Sequence, residues 1–205
     1  MPDGERFNVI THFIGAIAAL LGVVVLTVAA TRHGDPWRIV SCAIYGSTLL
    51  FLYTSSTLYH HADGKAKNFL RKFDHNAIFL LIAGSYTPIT LVTLRGAWGW
   101  SLFIAVWGLA ILGIVLEFHP LKGPRVVPVI IHLLMGWLVI FALKPLLLVL
   151  PRNGFLWLLA GGIFYTGGVL FYALDARIRH FHGIWHLFVL AGSICHYFFV
   201  LLYIA

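Results

Sequence analysis

Long stretches of apolar residues, broken by short polar segments, set the pattern of this chain. The apolar positions run continuously instead of alternating, which excludes the every-second-residue pattern of a lipid-facing β-barrel. About 20 residues of helix span the hydrocarbon of a bilayer, and every backbone group there must be satisfied within the segment. The pattern therefore predicts an all-α, polytopic membrane protein, a single seven-transmembrane helix bundle covering residues 1–205. The predicted spans are about Asn8–Ala30, Trp37–Tyr59, Asp74–Leu94, Trp98–Leu116, Val126–Leu143, Phe155–Leu174 and Ile184–Ile204. The connectors are short and leave no separate soluble module. In the sixth span, Gly161-Gly162 and Gly167-Gly168 allow close helix packing. Pro88, Pro128 and Pro145 predict kinks or helix ends.

Composition sharpens this picture. Sixty per cent of the residues are hydrophobic and 10% charged, with a mean hydropathy of +0.93, a balance foreign to soluble domains. The net charge is +7. In a membrane protein that excess belongs to loops beside anionic lipid. No basic and aromatic surface points to nucleic acid, and no nucleic-acid partner is expected. Cys42 and Cys195 lie inside apolar stretches and imply no disulfide framework. Asp3, Glu5 and a lone Arg6 make a poor leader for a cleaved signal peptide, so the first stretch reads as a retained helix.

Lys and Arg divide unevenly between the two sides. Arg6, Lys65, Lys67, Arg71, Lys72, Lys122, Arg125, Arg177 and Arg179 fall on the N-terminal side, and Arg32, Arg38, Arg95, Lys144 and Arg152 on the other. The positive-inside rule then puts the N-terminus in the cytoplasm and the C-terminus outside, in the inner (plasma) membrane of the cell.

The polar residues that interrupt the apolar stretches cluster on the N-terminal side. His182-Gly183-Ile184-Trp185-His186 opens the last span. Histidines four apart share one helical face and can share a metal ion; taken alone, such a pair reads equally well as interfacial. The second span ends on the same side with Ser56-Thr57-Leu58-Tyr59-His60-His61, and the third begins there with Lys72-Phe73-Asp74-His75. Three helices thus carry ionisable groups to one depth, where such groups are costly. His60, His182 and His186 would supply three imidazoles to zinc, leaving a fourth position for water, whose pKa a site of this kind lowers to about 7. The glutamate of an HExxH helix is missing. Asp74 is the nearest alternative for a general base, and its other reading is a carboxylate paired with Arg71 or Lys72. Ser56 shares the face of His60 and is either a donor to the ligands or bonded to its own helix. His61 points about 100° away from His60. His12, one turn into the first span, and Tyr59 are candidates for a cavity beside the site, His12 reading more readily as a structural residue. So is His196, which lies about 15 Å along the helix from His186 and out of reach of the same ion, and which reads more readily as a buried interhelical hydrogen-bonding group. Glu117 and His119 read as interfacial.

These residues resemble a known family. The Ser56-xxx-His60 motif, the run Phe73-Asp74-His75-Asn76-Ala77-Ile78 leading to Ala83-Gly84-Ser85-Tyr86-Thr87-Pro88, and His182-xxx-His186 continuing through Ser193 to His196 are similar to the hemolysin III family. That family is the bacterial branch of the progestin and adiponectin receptor superfamily, and Glu5, Asn8, His12 and Gly15 fit its N-terminal pattern. The resemblance covers essentially the whole chain. It implies a seven-helix bundle with a cytoplasmic N-terminus, zinc held by His60, His182 and His186, and Asp74 near the metal-bound water. Adiponectin receptors are linked to hydrolysis of the ceramide amide bond, the wider superfamily includes alkaline ceramidases, and the bacterial branch is named for haemolysis and tied to membrane lipid homeostasis. Without the soluble N-terminal extension of the animal receptors, a protein-hormone receptor is not expected.

Three functions follow for comparison. The first is an intramembrane zinc hydrolase acting on a membrane lipid amide or ester, with Asp74 handling the proton. The second is a non-catalytic sensor or regulator in which zinc braces the helices. The third is a haemolysin-type pore, disfavoured by spans too uniformly apolar to line a wide aqueous path.

Overall fold

The computed structural model describes residues 4–118 and 126–205. Asp3, His119, Lys122 and Arg125 lie outside the described residues. Among the described residues, seven helical spans are long and apolar enough to cross a membrane. They are α1 (Arg6–Thr31), α2 (Pro36–His61), α3 (Gly64–Pro88) with a following π-helical stretch Ile89–Thr93, and α4 (Ala97–Phe118). The fifth span is broken into α5 (Val126–Trp137), a 3-10 stretch Leu138–Ala142 and α6 (Leu143–Val149); α7 (Arg152–Leu174) and α8 (Phe181–Tyr203) complete the set. Successive spans pack as neighbours, α5 also reaches α3 and α7, and α8 returns against α1, so the helices form a closed ring.

The distribution of residue sizes is that of a bundle in lipid. On α1 the inward face carries Asn8, Thr11, His12, Gly15, Ala19, Gly22, Leu26 and Ala30, mostly small or polar residues at helical spacing. Its outward face exposes Ile10, Phe13, Ile14, Ile17, Leu20, Leu21, Val24 and Val25. Large apolar groups turned outward and small ones inward are unfavourable in water. In a bilayer the same arrangement allows helices close approach while lipid solvates the rest.

Two helix ends differ from the sequence expectation in ways that matter for the site. The segment Lys65–Lys72 is helical, because α3 starts at Gly64 and not near Asp74. Gly64 has a positive φ of 57°, which lets the chain turn from the end of α2 directly into α3. Asp74 therefore sits nearly three turns inside a helix. At the far end of α3, Pro88 ends the regular ladder, and the π-helical stretch follows. Thr87 and Thr90 hydroxyls donate to the carbonyls of Ala83 and Tyr86 there, at 2.9 Å each, which helps satisfy backbone groups around the break.

The broken fifth span has its own repair. The Tyr86 hydroxyl donates to the Gly136 carbonyl and accepts from the Val139 N–H, each at 2.9 Å. Both contacts fall where the α-helix gives way to the 3-10 stretch, ahead of Pro145, so the side chain serves backbone groups displaced by the change of helix type. The opening of α8 is set by His180, which takes a left-handed conformation (φ 71°) just before the first turn.

Candidate metal centre

The end of α2 and the start of α8 meet at the same end of the bundle, and α1 begins beside them. His60 on α2 is 2% exposed and His186 on α8 fully buried, while His182 is half-buried. One nitrogen or more of each lies within 4.8 Å of the others, close enough for the three to hold a metal ion. The ring centroids are 4.8–5.1 Å apart. His61, one residue on from His60, is exposed, as a side chain pointing about 100° away from the buried His60 can be.

Two carboxylates decide which nitrogens face inward. His60 Nδ1 donates to Glu5 Oε2 at 2.7 Å. His182 Nδ1 donates to Asp175 Oδ2, also at 2.7 Å. A carboxylate on Nδ1 keeps the proton there and turns the Nε2 lone pair toward the centre of the cluster. The two Nε2 atoms of His60 and His182 then lie 3.4 Å apart. Two lone pairs facing each other at that distance repel unless they share a cation. Among the described residues His186 forms no hydrogen bond of good geometry through either nitrogen, although the backbone of Asn8 approaches its ring.

Glu5 is held in turn. It accepts from Lys67 Nζ at 2.9 Å and from Asn8 Nδ2 at 2.7 Å. The hydrogen bond from His60, foremost, and those from Lys67 and Asn8 hold its carboxyl far below the usual carboxylate range against the opposing effect of burial. Glu5 precedes α1, Lys67 lies on α3 and His60 on α2, so this ionised carboxylate ties three helices together. Lys67 also lies 5.2 Å from the centre of the Tyr59 ring.

Neither orienting carboxylate is identified as such by the sequence. Asp175 stands in the turn after α7, and nothing in its spacing from His182 shows that the turn folds back onto the imidazole. A usable signal existed: it is the lone carboxylate between Leu174 and His182. Glu5 fits the family pattern noted above without a role attached.

A cavity of about 150 Å³ is lined by neighbours of the cluster, His60, His182 and His186 not being among its lining residues. His12, Ser56, Asp74 and His196 line it together with Leu52, Ile78, Trp185 and Val189. Ser56 and Asp74 thus share one wall space, brought there by α2 and α3. No ion pair joins Asp74 to Arg71 or Lys72 among the described residues; Lys72 lies instead over the Phe118 ring. Tyr59 is placed differently from the other cavity candidates. It does not line the cavity and packs edge-on against His60 with centroids 4.7 Å apart. His196 faces the cavity and binds the Leu158 carbonyl of α7 at 3.2 Å, joining α7 to α8. Deeper in the bundle, Ser193 bridges Tyr53 and Tyr165 by hydrogen bonds of 2.8 Å. Glu117 lies 3.5 Å from His75 across α3 and α4.

Comparison with known proteins supplies the family of the chain. The family model described as Haemolysin-III related matches residues 3–197. The chain belongs to the haemolysin III family. It is 42% identical to Hemolysin-3 of Bacillus cereus over 201 residues, covering 98% of this chain and 91% of that protein. It is 44% identical to the Hemolysin-3 homolog of Bacillus subtilis (strain 168) over 200 residues, covering 97% and 93%. The human monocyte to macrophage differentiation factor is 30% identical over 207 residues, 96% of this chain and 83% of that protein. A multi-pass membrane protein is what both the family and the seven apolar spans indicate, and a haemolysin III chain with this histidine cluster has a place for a metal ion.

Proposed function

We propose that this protein is a zinc-dependent intramembrane hydrolase that cleaves an amide or ester of a membrane lipid, ceramide being the type case. The observation that carries the reading is a three-imidazole site whose immediate neighbours His12, Ser56 and Trp185 line an apolar cavity that also presents a carboxylate. The donor set suits zinc. Three neutral imidazoles are borderline-soft ligands, and tetrahedral bonds of about 2.0–2.1 Å put neighbouring donor atoms about 3.3 Å apart. The 3.4 Å between the Nε2 atoms of His60 and His182 matches that separation. Zinc bound there would supply Lewis acidity that polarises a carbonyl and makes water a nucleophile at neutral pH.

The chain's own residues supply the rest. Glu5 and Asp175 fix the tautomers of two ligands and raise their basicity. Asp74 is the carboxylate on the cavity wall able to take a proton from water and return it to the leaving amine or alcohol. Ser56, on the face of α2 that carries His60, is placed to orient either the water or the carbonyl. Leu52, Ile78 and Val189 offer apolar wall for an acyl chain, and the surrounding helices keep bulk water away.

A purely structural metal would need no cavity and no nearby carboxylate, and this favours turnover over a bracing role. The uniformly apolar spans do not support a wide aqueous path, as the haemolysin-type pore would need. The excess of Lys and Arg on the N-terminal side supports a cytoplasmic N-terminus in the plasma membrane.

Purified, zinc-loaded protein incubated with ceramides and with other lipid amides and esters should release fatty acid, and His60→Ala and Asp74→Asn should abolish the release. Zinc-loaded protein that releases nothing from any of them contradicts the hydrolase reading and leaves the sensor.

A further inference from the structure

A fourth imidazole stands against the cluster without belonging to it. His12, on α1, stacks flat on His186 with centroids 3.7 Å apart and planes 18° from parallel. It also meets the Tyr53 ring edge-on at 5.1 Å. It is 2% exposed, yet among the described residues neither of its nitrogens has a hydrogen-bond partner, and neither joins the three-histidine group. The side chain lines the cavity. A ring needed only for stacking would be better served by phenylalanine, because burying two polar nitrogens unpaired is costly. A polar group retained against that cost, at the wall of a cavity, is placed for a ligand.

We propose that His12 is the hydrogen-bonding residue of this cavity, binding the carbonyl head of an uncharged acyl-chain amide or ester and holding it beside the three-histidine group. The inference rests on the hydrolase reading above and adds a residue to it. The identity of the head follows from the wall. Leu52, Ile78 and Val189 suit an acyl chain, Asp74 on the same wall disfavours a carboxylate head, and an uncharged carbonyl oxygen accepts the hydrogen bond that an imidazole N–H donates. The stack with His186 fixes the plane of the His12 ring, so its nitrogens are held at a set distance from the cluster. Only a hydrogen bond is required of His12; it need not change its charge.

The test uses purified full-length protein in detergent micelles and tritiated decanamide as the probe, with excess unlabelled decanamide to define specific binding. His12→Phe keeps the ring and removes both nitrogens. It should bind decanamide about tenfold more weakly, as loss of one buried hydrogen bond predicts. Its metal content should equal that of wild type, and its melting temperature should match or exceed it. His12→Gln, which restores a polar group, should recover affinity to within about threefold. Unchanged affinity in His12→Phe overturns the proposal. So does loss of metal in that variant, which would make His12 a support of the metal instead of the ligand. A lower melting temperature with no recovery in His12→Gln would assign a structural role and also overturn it. Wild type that binds no metal would sink the metal reading separately. The affinities of the same variants, measured on that metal-free protein, would still decide for or against His12.

Discussion

The imidazoles of His60 and His182 are each fixed by a carboxylate that lies outside the helix bearing them, Glu5 and Asp175. Removing such a partner leaves the ligand in place but frees its tautomer, which typically costs 10–100-fold in metal affinity. Glu5→Gln and Asp175→Asn should each weaken metal binding by about that factor in a competition with a chromophoric chelator, while both proteins remain folded. Affinities equal to wild type would show that the carboxylates do not act through the ligands. Sequence spacing made the three histidines legible, because His182 and His186 share a helical face and His60 falls at the same depth. The carboxylates were not legible in that way. Their role depends on where the N-terminal residues and the α7–α8 turn fold back, and helical periodicity carries no information about either. His12 stood between the two cases. Its depth could be read from α1, but its stacking on His186 depends on how α1 meets α8.

At the scale of elements, the spans followed from apolar length and the irregular stretches did not. Pro88 marked one break and Pro145 lies just past the other, while Pro128 falls in the first turn of α5 without a break; the repair by Tyr86 comes from a different span. Tyr86→Phe removes one hydroxyl and leaves the Val139 N–H and the Gly136 carbonyl without it. The expected loss is about 2 kcal/mol, seen as a lower melting temperature with metal content unchanged; a variant as stable as wild type would remove Tyr86 from the account of the broken span. Gly161 meets a tighter limit. A Cβ there would lie 2.1 Å from the His196 ring, which is held by its bond to Leu158. Gly161→Ala should therefore destabilise the α7–α8 contact by about 1–3 kcal/mol, the usual cost of overpacking, measurable by thermal melting in detergent. Gly161-Gly162 suggested close packing from sequence, and the partner of that packing is supplied by the fold.

For the whole molecule, a ring of seven spans brings residues from both ends of the chain to one end of the bundle, so the site exists only when α8 closes on α1. The charge bias predicts which way that end faces. A reporter that is active only in the cytoplasm should be silent when fused after Ala205, and one that needs export should be active; the reverse result would invert the orientation and leave the site intact. The central claim is the metal centre itself. Metal analysis of purified wild type beside His60→Ala, His182→Ala and His186→Ala, each shown to be folded, tests it most directly. The account predicts about one zinc per wild-type chain and less than about a tenth of that in each variant, as loss of one ligand in three requires. Folded variants that keep the metal of wild type, or a wild type that takes up none when zinc is offered, would contradict it.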